Sequence, residues 1–139
     1  MIDRVEFELV SPERLVKSLS VGMVVVPCSE GDIGVLPGHT PLIGTVRPGV
    51  VDIHEDGKVS ESIFVSGGFV EVTPERCTLL AEEATAVGDL NQDEAQTRLD
   101  AGKTALGKAS SEVEKSNAEA EIKTAEAMLA AMGAEPATH

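Results

Sequence analysis

The chain has 139 residues, 42% of them hydrophobic, with 24 acidic against 11 basic residues and a formal net charge of −13. That length holds one ordinary domain or a small domain plus an appendage, and the apolar content suffices for a folded core. The acidic excess opposes nucleic-acid binding, which needs clustered Lys and Arg, and a chain without Trp or Tyr has almost nothing on which bases could stack.

The opening MIDRVEFELVSPERLV carries charges throughout and lacks the apolar centre of a signal peptide. Within it, VEFELV puts Val5, Phe7 and Leu9 on one face and Glu6 and Glu8 on the other, the alternation of a half-buried strand. The apolar run Met23 to Val26 also has strand length, and no run approaches the roughly 18 apolar residues of a membrane span. Cys28 and Cys77 are too few for a disulfide scaffold and read as two reduced thiols in a cytoplasmic protein. With no four-ligand Cys/His cluster, no structural metal site is expected.

Residues 31–43, GDIGVLPGHTPLI, read as a shaped loop. Gly31, Gly34 and Gly38 permit positive φ, Pro37 and Pro41 fix φ, and Ile33, Val35 and Leu36 can anchor the segment in a core. Glu30, Asp32 and His39 then face outward, as on a binding surface carried by a rigid scaffold. His39 with Asp32 is also the chain's one acid–base pair worth weighing, although Ser29 and Thr40 are only generic partners for a third role, and no catalytic residue is assigned. GDIG is not a dinucleotide fingerprint, and no helical pattern follows to present free N–H groups to phosphate.

Further on, VVDIHEDGKVSESIFV reads as a hairpin turning at Asp56-Gly57, and GGFVEVTPERCTLLAEE repeats the pattern around Thr73-Pro74-Glu75. Composition changes near Gly88, where Val, Gly and Pro give way to Ala, Glu and Lys. Asn91 with Glu94, and Ser111 with Glu114, are two capping boxes. Ala95, Leu99, Gly102, Leu106 and Ala109 form one stripe, Ala118, Ile122, Ala125, Leu129 and Met132 a second, and Gly133 terminates the second helix. Gly102-Lys103-Thr104 mimics the end of a phosphate loop but falls inside the first helix and lacks the preceding glycine. The expected fold is therefore an N-terminal antiparallel β-sandwich (1–88) followed by an antiparallel α-helical hairpin with a short flexible C-terminal end (89–139), the hairpin poor in large apolar residues and marginal alone.

EGDIGVLPGHTPLI, followed by RPGVVDI and SGGFVEV in the same order and at the same spacing, closely resembles the epsilon subunit family of bacterial F-type ATP synthases, kin of the mitochondrial delta subunit. The likeness spans essentially the whole chain and is most specific over residues 7–83. It implies a non-catalytic part of the rotating central stalk, linking the gamma subunit to the c-ring and coupling proton-driven rotation to ATP synthesis. It implies no cofactor, transient contact of the tail with the alpha and beta subunits, and a peripheral position on the cytoplasmic face of the bacterial inner membrane, with the membrane met only through the complex. By motif match, Glu30, Gly31 and Asp32 become c-ring contacts with His39 close to that footing, and Leu42 and Val46 are the candidates for gamma.

Some family members bind ATP through (I/L)DxxRA at the first helix. Here the stretch is LNQDEA: Leu90 and Ala95 match, Asn91 replaces the Asp, and Glu94 replaces the Arg. A carboxylate in place of the cation costs several kcal/mol beside a triphosphate, so no useful ATP binding is expected. Inhibitory tails in the family use basic residues. From Asp89 onward this chain has ten acidic and five basic residues, so a weak or absent inhibitory tail is expected. A stand-alone adaptor or assembly protein with a β-sandwich binding module, and an enzyme using Asp32 and His39, are the alternatives.

Overall fold

In the computed structural model, residues 3–133 are described, and the expected flexible C-terminal end lies outside them. The chain divides into two compact units, Met1–Ala86 and Val87–His139, the break falling just ahead of the change in composition.

The first unit contains β1 (Val5–Val10), β2 (Leu15–Val21), β3 (Met23–Cys28), β4 (Gly31–Val35), β5 (Leu42–Val46), β6 (Gly49–Glu55), β7 (Lys58–Val65), β8 (Gly68–Val72), β9 (Arg76–Ala81) and β10 (Ala84–Ala86). They pair in the order β10-β7-β6-β3-β5-β8-β9-β1-β2, with β4 attached to β3, and the sheet folds over itself as a sandwich. The core draws on β1 through β9 and includes Val5, Phe7, Leu9, Val24, Val26, Ile53 and Leu79. The alternation in VEFELV is thus realised, each fully buried side chain contributing about 1.5–3 kcal/mol.

The β6–β7 turn is the expected one, with Asp56 at φ 52° and Gly57 at φ 77°, and the β8–β9 turn closes through reciprocal bonds between Thr73 and Arg76. One pairing departs from the antiparallel rule: β1 runs parallel to β9, Phe7 opposite Cys77. Side chains also join strands far apart in the order. Arg4 grips both carboxylate oxygens of Glu55, which accepts from the Gly22 N–H as well, and Lys17 of β2 pairs with Glu61 of β7 at 2.6 Å.

The second unit opens with a 3-10 turn at Val87–Asp89 and continues as α1 (Gln92–Lys108) and α2 (Glu112–Ala131). Both caps form: Asn91 Oδ1 accepts from the Glu94 N–H and Ser111 Oγ from the Glu114 N–H. Gly133, at φ 74°, donates to the Ala130 carbonyl and ends α2. The helices meet closely at Gly102, where an added Cβ would lie 2.9 Å from the Ile122 side chain. Arg98 Nε donates to Glu121 at 2.6 Å across the pair. The buried face of α2 is wider than the expected stripe, taking in Thr124 and Met128 beside Ala118, Ala125 and Leu129. Gly102-Lys103-Thr104 lies within α1, where no phosphate cradle forms.

Candidate functional site

The segment from Gly31 to Ile43 is a strand, a turn and the start of another strand rather than a single loop. β3 and β4 form a hairpin tipped by Ser29 and Glu30, with Gly31 at φ 135° completing the reversal. Val35 is buried and Ile33 packs against the core, but Leu36 is 54% exposed and does not anchor the segment as expected. Gly34 sits in extended strand, its missing Cβ facing the Met23 sulfur at 3.5 Å, so the turn geometry rests on Gly31 and Gly38.

Arg47 holds this hairpin. Its backbone N–H donates to the Pro27 carbonyl at 2.9 Å, its Nη1 to the Cys28 carbonyl, and its Nη2 to Asp32 Oδ1 at 2.6 Å. Burial raises the Cys28 thiol above its ordinary value, with Arg47 opposing the shift and Asp32 adding to it. Glu30 is exposed, and among the described residues its carboxylate has no partner.

His39 does not belong with this group. The Gly38 N–H donates to the Pro74 carbonyl at 2.8 Å, which seats His39 beside the β8–β9 turn, whereas Ser29 donates to Thr45 near the other end of β5. Strand β4 alone spans about 13 Å between the two positions. The His39 ring nitrogen Nδ1 lies 2.7 Å from the Thr40 carbonyl, and Asp32 is taken by Arg47, so the pair weighed for acid–base chemistry is not assembled.

The expectation for gamma also changes. Val46 is 3% exposed within the core and Leu42 packs against it; the alternation along β5 turns Ile43 and Thr45 outward instead. On the outward face of β5, β8, β9, β1 and β2, register aligns Thr45, Phe69, Leu80, Val10 and Leu15 in one row. Phe69 is 61% exposed, Leu80 52% and Leu15 55%, a contiguous apolar strip of a kind that marks contact surfaces. Interposed Gly44 hides the face alternation of LIGTV in the sequence, but Phe69 and Leu80 were readable as the outward members of two well-marked strands.

Leu90 and the cap Asn91 precede α1, and Glu94 and Ala95 lie in its first turn. Asn91 is spent on the Glu94 N–H, Ala95 is buried, Leu90 is half-buried, and Glu94 points a carboxylate to solvent. A triphosphate would meet negative charge there.

A β-sandwich bearing an apolar outward row and a clamped hairpin, followed by a two-helix unit, defines an architecture with exposed surfaces of the docking type. A sequence model of the beta-sandwich domain of the ATP synthase delta/epsilon chain matches residues 4–87. The ATP synthase epsilon chain of Paramagnetospirillum magneticum is 57% identical over 103 residues, 74% of this chain and 77% of that one. The epsilon chain of Rhodospirillum rubrum is 54% identical over 101 residues, covering 73% and 75%. The fold is shared with a chain of the Euglena gracilis mitochondrial ATP synthase OSCP/F1/c-ring structure, at TM-score 0.79 and 20% identity over 95% of this chain and 83% of that one. It is shared too with a chain of the Tetrahymena thermophila mitochondrial ATP synthase central stalk/c-ring, at TM-score 0.69 and 14% identity, covering 94% and 98%. This chain belongs to the ATP synthase delta/epsilon family.

Proposed function

We propose that the chain is a non-catalytic subunit of the central stalk of a proton-translocating F-type ATP synthase, joining the gamma subunit to the c-ring so that rotation reaches the catalytic head. The observation that carries this is the apolar row Phe69–Leu80–Val10–Leu15 on the outward face, with exposed Ile43 in the neighbouring row. Gamma is its occupant in this reading, replacing contacts through Leu42 and Val46. Glu30, Gly31 and Asp32 at the β3–β4 hairpin form the footing on the c-ring. The sandwich (1–88) is the docking module and the hairpin (89–139) a regulatory element that is weak as an inhibitor, with transient contact to alpha and beta. The protein is then peripheral, held at the cytoplasmic face of the bacterial inner membrane through the complex alone; no helix of the described residues is long and apolar enough to cross a membrane.

The test is co-purification of the full chain with gamma and the c-ring. Phe69→Ser removes an exposed side chain, so the fold should persist while gamma is lost. Retention of gamma by Phe69→Ser and by Leu80→Ser would move the gamma contact elsewhere, and failure of the wild-type chain to retain either partner would favour the adaptor reading.

A further inference from the structure

Asp32 and Glu30 are not equivalent, although both are exposed acids two residues apart. The Asp32 carboxylate is bound by Arg47 at 2.6 Å, while Glu30 projects from the tip of the hairpin with no partner among the described residues. Arg47 also holds the Cys28 and Pro27 carbonyls, so one residue of the chain after β5 grips the hairpin at three points. Seen from a distance comparable to the Debye length of about 8 Å, a bound Asp–Arg pair is a dipole whose field falls away faster than that of a lone charge. Glu30 is a lone charge.

We propose that Arg47 is a positioning residue for the ring contact: it clamps the β3–β4 hairpin and neutralises Asp32, so that Glu30 alone meets a Lys or Arg side chain on the facing loop. This rests on the reading that the hairpin faces the c-ring, and it names the chemistry of that contact. Gly31 contributes shape only, through its φ of 135°. Two effects of Arg47 are thereby separable. Its charge sets how strongly the hairpin attracts a cation, which salt screens; its two side-chain hydrogen bonds set how long a formed contact lasts, which salt affects little.

The experiment measures association and dissociation of the full chain on a gamma–c-ring subcomplex over a range of salt concentrations. Glu30→Gln is expected to slow association roughly two- to fivefold at low salt and to weaken its salt dependence. The double variant Asp32→Asn with Arg47→Gln removes the neutral pair. It should keep the wild-type salt dependence of association while dissociating faster, because both side-chain bonds of the clamp are gone and only the backbone bond to Pro27 remains. Arg47→Lys keeps the charge and loses the fork, so its association should match wild type and its dissociation should fall between the two.

A double variant whose association loses its salt dependence would mean that Asp32 itself meets the ring, and the proposal would be wrong. A double variant with unchanged dissociation would remove the positioning role. If instead Glu30→Gln together with Asp32→Asn binds like wild type at every salt concentration, the hairpin does not face the ring, and the underlying reading fails first. Salt dependence is a ratio within each variant, so a modest loss of folding stability does not blur it.

Discussion

Gly68 gives the most exacting test of the sandwich. Its φ is 149°, and an added Cβ would stand 1.8 Å from the Leu80 carbonyl oxygen and 2.9 Å from the Leu80 carbonyl carbon, where real Cβ atoms essentially never come within 3.0 Å. Gly68→Ala must therefore push β8 from β9 by more than an ångström. It loses the bonds around the Gly68–Ala81 and Phe69–Leu80 pairs at about 1 kcal/mol each, and overpacking adds about 1–3. Left-handed strain adds about 1–2, for a total of about 4–7 kcal/mol. Two other glycines divide the effect. Gly57 has φ 77° and nothing within 4 Å, so Gly57→Ala should cost about 1 kcal/mol of conformational strain. Gly34 lacks positive φ and would meet only the Met23 sulfur, at an ordinary contact distance of 3.5 Å, so Gly34→Ala should stay within about 1 kcal/mol of wild type. Without Trp or Tyr the natural reporter is thiol labelling in urea, since both cysteines belong to the sandwich. Cys77 is fully buried, and its thiol is pushed up to about 12, by burial first and by the nearby Cys28 second. It should react only when the unit opens. A Gly68→Ala protein whose Cys77 is protected as well as in Gly57→Ala would refute the steric argument.

Other expectations are simpler. The bond from Arg4, then the Gly22 N–H, holds the Glu55 carboxyl below its ordinary value of 4.5, so the charged form is favoured on folding. Its contribution is complete above about pH 4.5 and is lost as pH falls through the lower folded value; Glu55→Gln should thus be less stable than wild type at neutral pH, with the gap closing in acid, and a gap that widens on acidification would contradict the assignment. Millimolar ATP should leave the melting temperature of the isolated chain unchanged, and a clear upward shift would overturn the reading of LNQDEA. The catalytic head should hydrolyse ATP at comparable rates with the full chain and with residues 1–88, because α2 carries Lys115 and Lys123 among five glutamates; several-fold stimulation on truncation would show an inhibitory tail.

Much of the fold was legible because its signals are local. VEFELV alternates cleanly, Asp56-Gly57 forces a tight reversal, and Asn91 and Ser111 cap the helices they precede. What stayed hidden depends on partners distant in sequence. Arg47 lies fifteen residues from Asp32, and nothing local says that it disarms that acid. His39 looks continuous with Glu30 until β4 extends between them. Glycines at 31 and 34 disguise β4 as a loop, and Gly44 conceals that Val46 points inward while Ile43 points out. Thr124 and Met128 join the buried face of α2 because it is broader than a 4, 3, 4, 3 stripe.

The parallel pairing of β1 with β9 sets an order of events during synthesis. The first strand emerges early and finds β2 by a short turn, but its other edge waits for residues 76–80, nearly the last to appear in the sandwich. Until then Phe7 and Leu9 lack the facing Cys77 and Leu79, and the early hairpin presents an open edge. Closing so long a loop makes folding slow relative to a helical protein of this size. A nascent chain halted before β9 therefore carries an unpaired strand edge of the kind that pairs with another unfinished copy.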